Sequence, residues 1–174
     1  DEILKILKNQ TILILDKCWD CWNEVYALLQ KQDMLEQAVF KFYIEDEQAM
    51  NWAKSHVDCS FIPMLGDMAY MNRVIELKSV TRVPALEILP LNDHDEVFQS
   101  KTLKMLHEYG MKVWCNSLSL SENLSYGAGY DDLKSLRYGG DAGWGKLISQ
   151  GVDIIQTDWP LELHQYLLQI MRHV

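Results

Sequence analysis

Six short apolar runs divide the chain, and stretches with helical spacing lie between them. Runs of this kind, bounded by polar residues, are typical of β-strands covered on both faces. The predicted strands are residues 11–16, 38–43, 60–65, 84–89, 112–118 and 153–157. Their spacing along the chain fits successive βαβ units, so the pattern predicts an α/β fold with a mostly parallel sheet.

Seven stretches repeat apolar residues at the spacing of an amphipathic helix. The predicted helices are residues 1–8, 19–32, 47–56, 67–78, 95–109, 141–150 and 161–174. Pro160 stands just before the last helix and Gly110 just after the fifth, which are positions these residues favour. The pattern by itself does not separate an open doubly wound sheet from a barrel.

Composition then narrows the classes of function. The formal net charge of −9 and the absence of a Lys/Arg block argue against nucleic-acid binding. No apolar run reaches the length of a membrane-spanning helix. The four cysteines do not indicate a disulfide scaffold and leave the compartment open. We therefore expect neither nucleic-acid binding nor a membrane span.

Polar residues at or near the carboxyl ends of the predicted strands carry the candidate chemistry, because functional groups of parallel α/β proteins gather there. Asp16 ends the first strand and is either the N-cap of the next helix or an oxygen ligand for Mg²⁺ or Ca²⁺. Lys41 interrupts an apolar strand, so its ammonium group must reach an anion or extend to the surface. Glu87 likewise interrupts an apolar strand, so we expect its carboxylate to pair with Lys41 or with a cation.

The fifth strand carries Trp114 and Asn116 two residues apart, so the two side chains lie on one face. A tryptophan at such a position is otherwise most often part of the core.

Three segments together resemble the glycerophosphodiester phosphodiesterase family. Residues 130–167 contain a Gly-rich loop, a strand and a Thr-Asp-x-Pro corner, and resemble the last βα unit of that family. The segment ILILDK resembles a metal-binding strand, with Asp16 at the acidic position and Lys17 displaced from the family's lysine. The segment VWCNSL resembles a strand that carries Trp and Asn at the substrate.

This resemblance implies a phospholipase C-like TIM (β/α)₈ barrel, of which residues 1–174 form strands 3–8 as one partial domain. The family's first two βα units are absent from this chain. They carry both catalytic histidines and two of three acidic metal ligands. We therefore expect no catalytic residue here, and a missing N-terminal segment from the same protein or a partner.

The implied reaction is metal-dependent hydrolysis of a glycerophosphodiester to an alcohol and glycerol 3-phosphate in the intact protein, with Mg²⁺ or Ca²⁺. Asp16 is the expected metal ligand. The expected substrate-binding residues are Lys41, Glu87, Trp114 and Asn116.

Two alternatives remain open. One is a non-catalytic α/β binding module derived from the same family. The other is a thiol-disulfide protein, because Cys18 and Cys21 form a C-x-x-C motif at a strand-to-helix junction, where a helix N-terminus lowers the pKa of a thiol.

Overall fold

Six β-strands form a sheet whose order follows the sequence, in a computed structural model that describes residues 2–119 and 124–172. The strands are β1 Leu13–Leu15, β2 Ala38–Tyr43, β3 Ser60–Leu65, β4 Ala85–Ile88, β5 Lys112–Asn116 and β6 Ile154–Gln156. The pairs β1–β2, β2–β3 and β5–β6 are parallel. All six predicted strands are therefore present, and β2 and β3 have the predicted bounds.

The described residues contain eight α-helices. They are α1 Glu2–Leu7, α2 Trp22–Gln32, α3 Glu47–Ser55, α4 Met71–Val80, α5 Ser100–Glu108, α6 Asp132–Tyr138, α7 Trp144–Gln150 and α8 Pro160–Met171. Helix α6 was not predicted, because glycines on either side of it suggest a loop. It begins where the Asp131 side chain accepts the Lys134 N–H, and it ends at Gly139.

Two compact units make up the chain: Asp1–Leu65 with Ala69–Ala85, and Gly66–Met68 with Leu86–Val174. In the first unit the core is aromatic. The Trp22 ring of α2 contacts the rings of Phe40 and Phe42 at 5.6 and 5.7 Å between centroids. Because residues two apart in a strand share a face, Phe40 and Phe42 face α2 and Lys41 faces the opposite side of the sheet.

The ladder between β1 and β2 is short. It joins three residue pairs, from Leu13 to Leu15, whereas the ladder between β2 and β3 joins five. Strand β1 is also an edge of the sheet. Ile12, directly before β1, and Ile14, within it, are 66% and 38% exposed.

In the second unit, the buried carboxylate of Asp132 holds the carboxyl ends of β5 and β6 together. Its Oδ1 accepts hydrogen bonds from the Ser117 and Thr157 hydroxyls at 2.6 and 2.8 Å and from the Trp144 indole at 2.8 Å. Its Oδ2 accepts the Asp158 N–H at 3.0 Å. Four donors thus replace the water lost by a carboxylate that is 1% exposed.

The opposite ends of β5 and β6 are joined by Asp153. Its carboxylate accepts hydrogen bonds from Lys112 Nζ, the Val113 N–H and His107 Nε2 at 2.7–2.8 Å. Burial by itself raises the pKa of Asp153, but these hydrogen bonds outweigh it and hold the pKa below its ordinary value.

Helices long and apolar enough to cross a membrane are absent from the described part of the chain.

We expect Asp132→Asn to lower the free energy of unfolding by about 2–4 kcal/mol, because an amide places N–H groups against donors that the carboxylate accepts. Urea unfolding followed by circular dichroism measures this change. Asp131→Asn is the matched control, since asparagine also caps helices well and the change should be nearly neutral. Equal effects of the two substitutions would contradict the role of Asp132.

Asp153 should make stability depend on pH. Its lowered pKa means that its stabilising contribution is present above the ordinary value of about 3.9 and is lost as the pH falls further. We expect Asp153→Asn to cost about 1–2 kcal/mol at neutral pH and clearly less near pH 3. Urea midpoints at the two pH values measure the difference, with the exposed Asp158→Asn as control. A cost that is the same at both pH values would contradict this assignment.

Candidate functional site

Asp16 and Lys41 lie together at adjacent strands of the first unit. Asp16 follows the last residue of β1, and Lys41 is the fourth residue of β2. Lys41 Nζ lies 3.5 Å from Asp16 Oδ2, with side-chain exposures of 2% and 34% respectively. Of the two alternatives for Lys41, the structure favours the contact with an anion. The lysine does not extend to the surface.

The interpretation of Asp16 as the N-cap of the next helix is wrong. Helix α2 begins after Cys21, and a 3₁₀ turn at Trp19–Cys21 begins after Cys18; neither start has a side-chain cap. The chain turns away from β1 at Lys17, whose φ of 54° is left-handed. Asp16 is therefore left at the strand end with its carboxylate directed to Lys41.

Lys41 is a chemically strong candidate for an anion site because burial of an ammonium group is costly unless anions surround it. Asp16 supplies one such anion and keeps part of its surface in contact with solvent. A phosphodiester that approaches from the solvent side of this pair would meet a positive charge fixed by the sheet.

The other three predicted residues belong to the second unit. Glu87 is buried in β4. On the neighbouring part of the second unit, the pKa of Cys115 in β5 is raised to about 12, mainly by burial and further by the charge of Glu87. Trp114 is half-buried on β5. Asn116 is 8% exposed, and its Oδ1 accepts the Leu118 N–H at 2.8 Å, so its amide nitrogen is the group that can donate to a ligand.

A family model described as a domain of unknown function, DUF4996, matches residues 61–167, which is more than half of the chain. The chain belongs to the DUF4996 family. The matched segment of this DUF4996 chain runs from β3 into α8, so it includes Glu87, Trp114 and Asn116 but neither Asp16 nor Lys41.

The DUF4996 chain is also similar to a solved structure, the crystal structure of a glycerophosphoryl diester phosphodiesterase from Parabacteroides distasonis ATCC 8503. The identity is 18% and the TM-score 0.74, over 97% of this chain and 54% of the other. The chain thus spans about half the length of that structure. This likeness shows the fold, and the predicted α/β partial TIM barrel is confirmed. None of the curated proteins matches the chain in sequence.

A divalent metal does not fit the side chains of the DUF4996 chain by themselves. Mg²⁺ and Ca²⁺ need several oxygen ligands. Among the residues that the structure describes, no group of three or more His, Cys, Asp or Glu side chains could hold a metal ion. Asp16 already pairs with the ammonium group of Lys41, and that positive charge repels a cation.

The C-x-x-C motif lacks the property that the thiol-disulfide alternative requires. Cys18 and Cys21 are both free thiols. Burial is the main cause that raises the pKa of Cys18, and the nearby Cys21 and Asp16 add to it. A raised pKa leaves little thiolate at neutral pH, whereas reactive cysteines of this motif have lowered values.

We expect Cys18 to react slowly with iodoacetamide at pH 7, and the rate to keep rising above pH 9. Alkylation resolved by mass spectrometry measures this rate, and the Cys18→Ser variant identifies the modified site. A Cys18 rate that levels off below pH 7 would restore the thiol-disulfide alternative.

Proposed function

We propose that the DUF4996 chain forms part of an enzyme that hydrolyses glycerophosphodiesters to an alcohol and glycerol 3-phosphate. The observation that supports this most directly is the buried Lys41 of β2, which pairs with Asp16 at the carboxyl end of the neighbouring parallel strand β1. Active sites of TIM-barrel enzymes lie at the carboxyl ends of the strands. The fold shared with a glycerophosphoryl diester phosphodiesterase adds independent support.

Lys41 acts on the phosphodiester in this proposal. In the reaction, water adds across a P–O bond: its oxygen bonds to phosphorus, and its proton goes to the leaving alcohol. Negative charge builds on the remaining phosphoryl oxygens, and an ammonium group fixed near them stabilises that charge without reorganising. The burial of Lys41 strengthens this effect because fewer water molecules screen the charge.

Three residues of the second unit, taken by themselves, are further proposed contacts for a substrate. The Asn116 amide nitrogen donates a hydrogen bond to a substrate oxygen, while its Oδ1 remains bound to the Leu118 N–H. Trp114 offers an apolar surface to the carbon atoms of the glycerol. Glu87 accepts a hydrogen bond from a substrate hydroxyl.

The proposal assigns the remaining machinery to polypeptide outside this sequence. Asp16 would be one of several oxygen ligands for Mg²⁺ or Ca²⁺, and a preceding segment or a partner would supply the further acidic ligands and the catalytic histidines. Exposed apolar side chains of α1 and of residues 12–14 suit such a segment. They are Ile3, Ile6, Ile12 and Ile14, which are 38–73% exposed.

We expect Lys41→Met to lower kcat/KM for a glycerophosphodiester by about 100-fold in the intact protein, which is the size of effect seen when one charge-stabilising donor is lost. Methionine fills similar volume without a charge, so the melting temperature should change little. Release of glycerol 3-phosphate, measured with a coupled assay, gives the rate.

Lys17→Met is the matched control. Lys17 is exposed and adjacent to Asp16, so the same substitution there removes the same charge without removing the buried contact. Full activity of Lys41→Met would remove Lys41 from the site. Intact protein that lacks hydrolysis with every glycerophosphodiester tested would favour the non-catalytic binding module.

A further inference from the structure

Gln156, in the second unit, has a side-chain oxygen that is shielded from solvent and that receives no hydrogen bond from any group in the described part of the chain. It is the last residue of β6, and its partner in the strand register, Asn116, is the last residue of β5. The sequence pattern does not single it out. A buried acceptor without a donor is costly, so this oxygen calls for an explanation.

The backbone of Gln156 is held firmly. Its carbonyl oxygen accepts the N–H and the hydroxyl of Ser117, both at 2.9 Å. The two residues that follow, Thr157 and Asp158, are hydrogen-bonded to the buried carboxylate of Asp132. These bonds fix the carboxyl end of β6, and with it the place from which the Gln156 side chain extends.

Asn116 supplies a donor on the same face of the sheet. Residues that are paired in register on parallel strands point to the same side, and such strands lie about 4.8 Å apart, so the two amides are neighbours. Asn116 Oδ1 accepts the Leu118 N–H at 2.8 Å, which fixes the orientation of the amide. Its nitrogen Nδ2 is therefore the group that remains to donate, beside the Gln156 oxygen that remains to accept.

We propose that Gln156 is a specificity-determining residue that binds, together with Asn116, one hydroxyl group of a ligand. A hydroxyl group both accepts and donates hydrogen bonds. It accepts from Asn116 Nδ2 and donates its proton to Gln156 Oε1. An ammonium group only donates and a carboxylate only accepts, so either of them would leave one of the two amides unpaired.

The identity of the ligand rests on the proposed function, which makes the hydroxyl group part of the glycerol portion of the substrate. A molecule that lacks this hydroxyl leaves the buried acceptor of Gln156 unpaired. Sites built from polar groups reject such analogues much more strongly than apolar pockets reject a missing methylene. Gln156 and Asn116 thus govern which phosphodiester is held and how it is oriented, whereas Lys41 acts on the phosphoryl group.

Stability distinguishes this role from a structural one. We expect Gln156→Met to leave the melting temperature unchanged or to raise it, because methionine keeps a similar volume and removes an unsatisfied acceptor. Thermal unfolding followed by circular dichroism measures the change. Gln165→Met, on the exposed side of α8, is the matched control. A melting temperature clearly below that of the control would show that the oxygen has a structural partner, and would overturn the proposal.

Binding to the intact protein tests the hydroxyl contact without relying on hydrolysis. By isothermal titration calorimetry we expect glycerol 3-phosphate to bind at least about tenfold more tightly than propyl phosphate, which lacks both hydroxyls. Gln156→Met should remove most of this difference, and Gln165→Met should preserve it. Gln156→Glu keeps an acceptor, so it should preserve the ratio of the two affinities although its charge weakens the binding of both phosphates.

Three results would each overturn the hydroxyl site: equal affinities for the two phosphates, no saturable binding of glycerol 3-phosphate, or an unchanged affinity ratio in Gln156→Met. Loss of the ratio in Gln156→Glu as well as in Gln156→Met would also overturn it, because the acceptor would then be irrelevant.

Kinetics of the intact protein separate this inference from the proposed function. We expect a lower KM for the ethyl ester of glycerol 3-phosphate than for the ethyl ester of propyl phosphate, and Gln156→Met should remove that preference. Hydrolysis of both esters with equal KM and kcat values would overturn the role of Gln156 and leave the phosphodiesterase standing. A Gln156-dependent preference in binding, without hydrolysis of either ester, would overturn the proposed function and leave the hydroxyl site standing.

Discussion

A charged group removed from water must receive its hydrogen bonds from the protein, and this constraint governs each unit of the molecule. In the second unit, Asp132 collects four donors from two strand ends, a helix start and an indole. Asp153, which keeps contact with solvent, collects three donors at the other ends of β5 and β6. In the first unit, the buried ammonium group of Lys41 is placed against Asp16. In both units, therefore, a charged side chain at a strand end is satisfied by groups of neighbouring elements.

The sequence predicted the strands well because they are apolar on both faces, which leaves a clear signal whatever the tertiary contacts are. It failed at α6. That helix is short, and its stability comes from tertiary contacts of Asp132 and Ser135 with residues after it, which local spacing does not reveal. The consecutive Asp131 and Asp132 contained a usable signal, since one caps the helix and the other is buried inside it.

The candidate site was predictable in part, for a similar reason. A lysine in an apolar strand is anomalous in the sequence itself, so Lys41 could be singled out, and its contact with Asp16 follows from the pairing of adjacent parallel strands. The contact between Trp22 and Trp52, whose ring centroids lie 4.7 Å apart, was not predictable in this way. Trp22 and Trp52 are 30 positions apart and fit ordinary core positions of two helices, so only their packing shows that they meet.

The short β1 ladder has a consequence for how firmly the ion pair is held. Three residue pairs are few for an edge strand, and fraying of strand ends occurs at a low local free energy. Opening of β1 would carry Asp16 away from Lys41 while the longer β2–β3 ladder stays intact. A strand added outside β1 would convert this edge into an interior strand and suppress the fraying. Such an added strand would thereby increase the fraction of molecules in which Asp16 contacts Lys41, without itself contacting either residue.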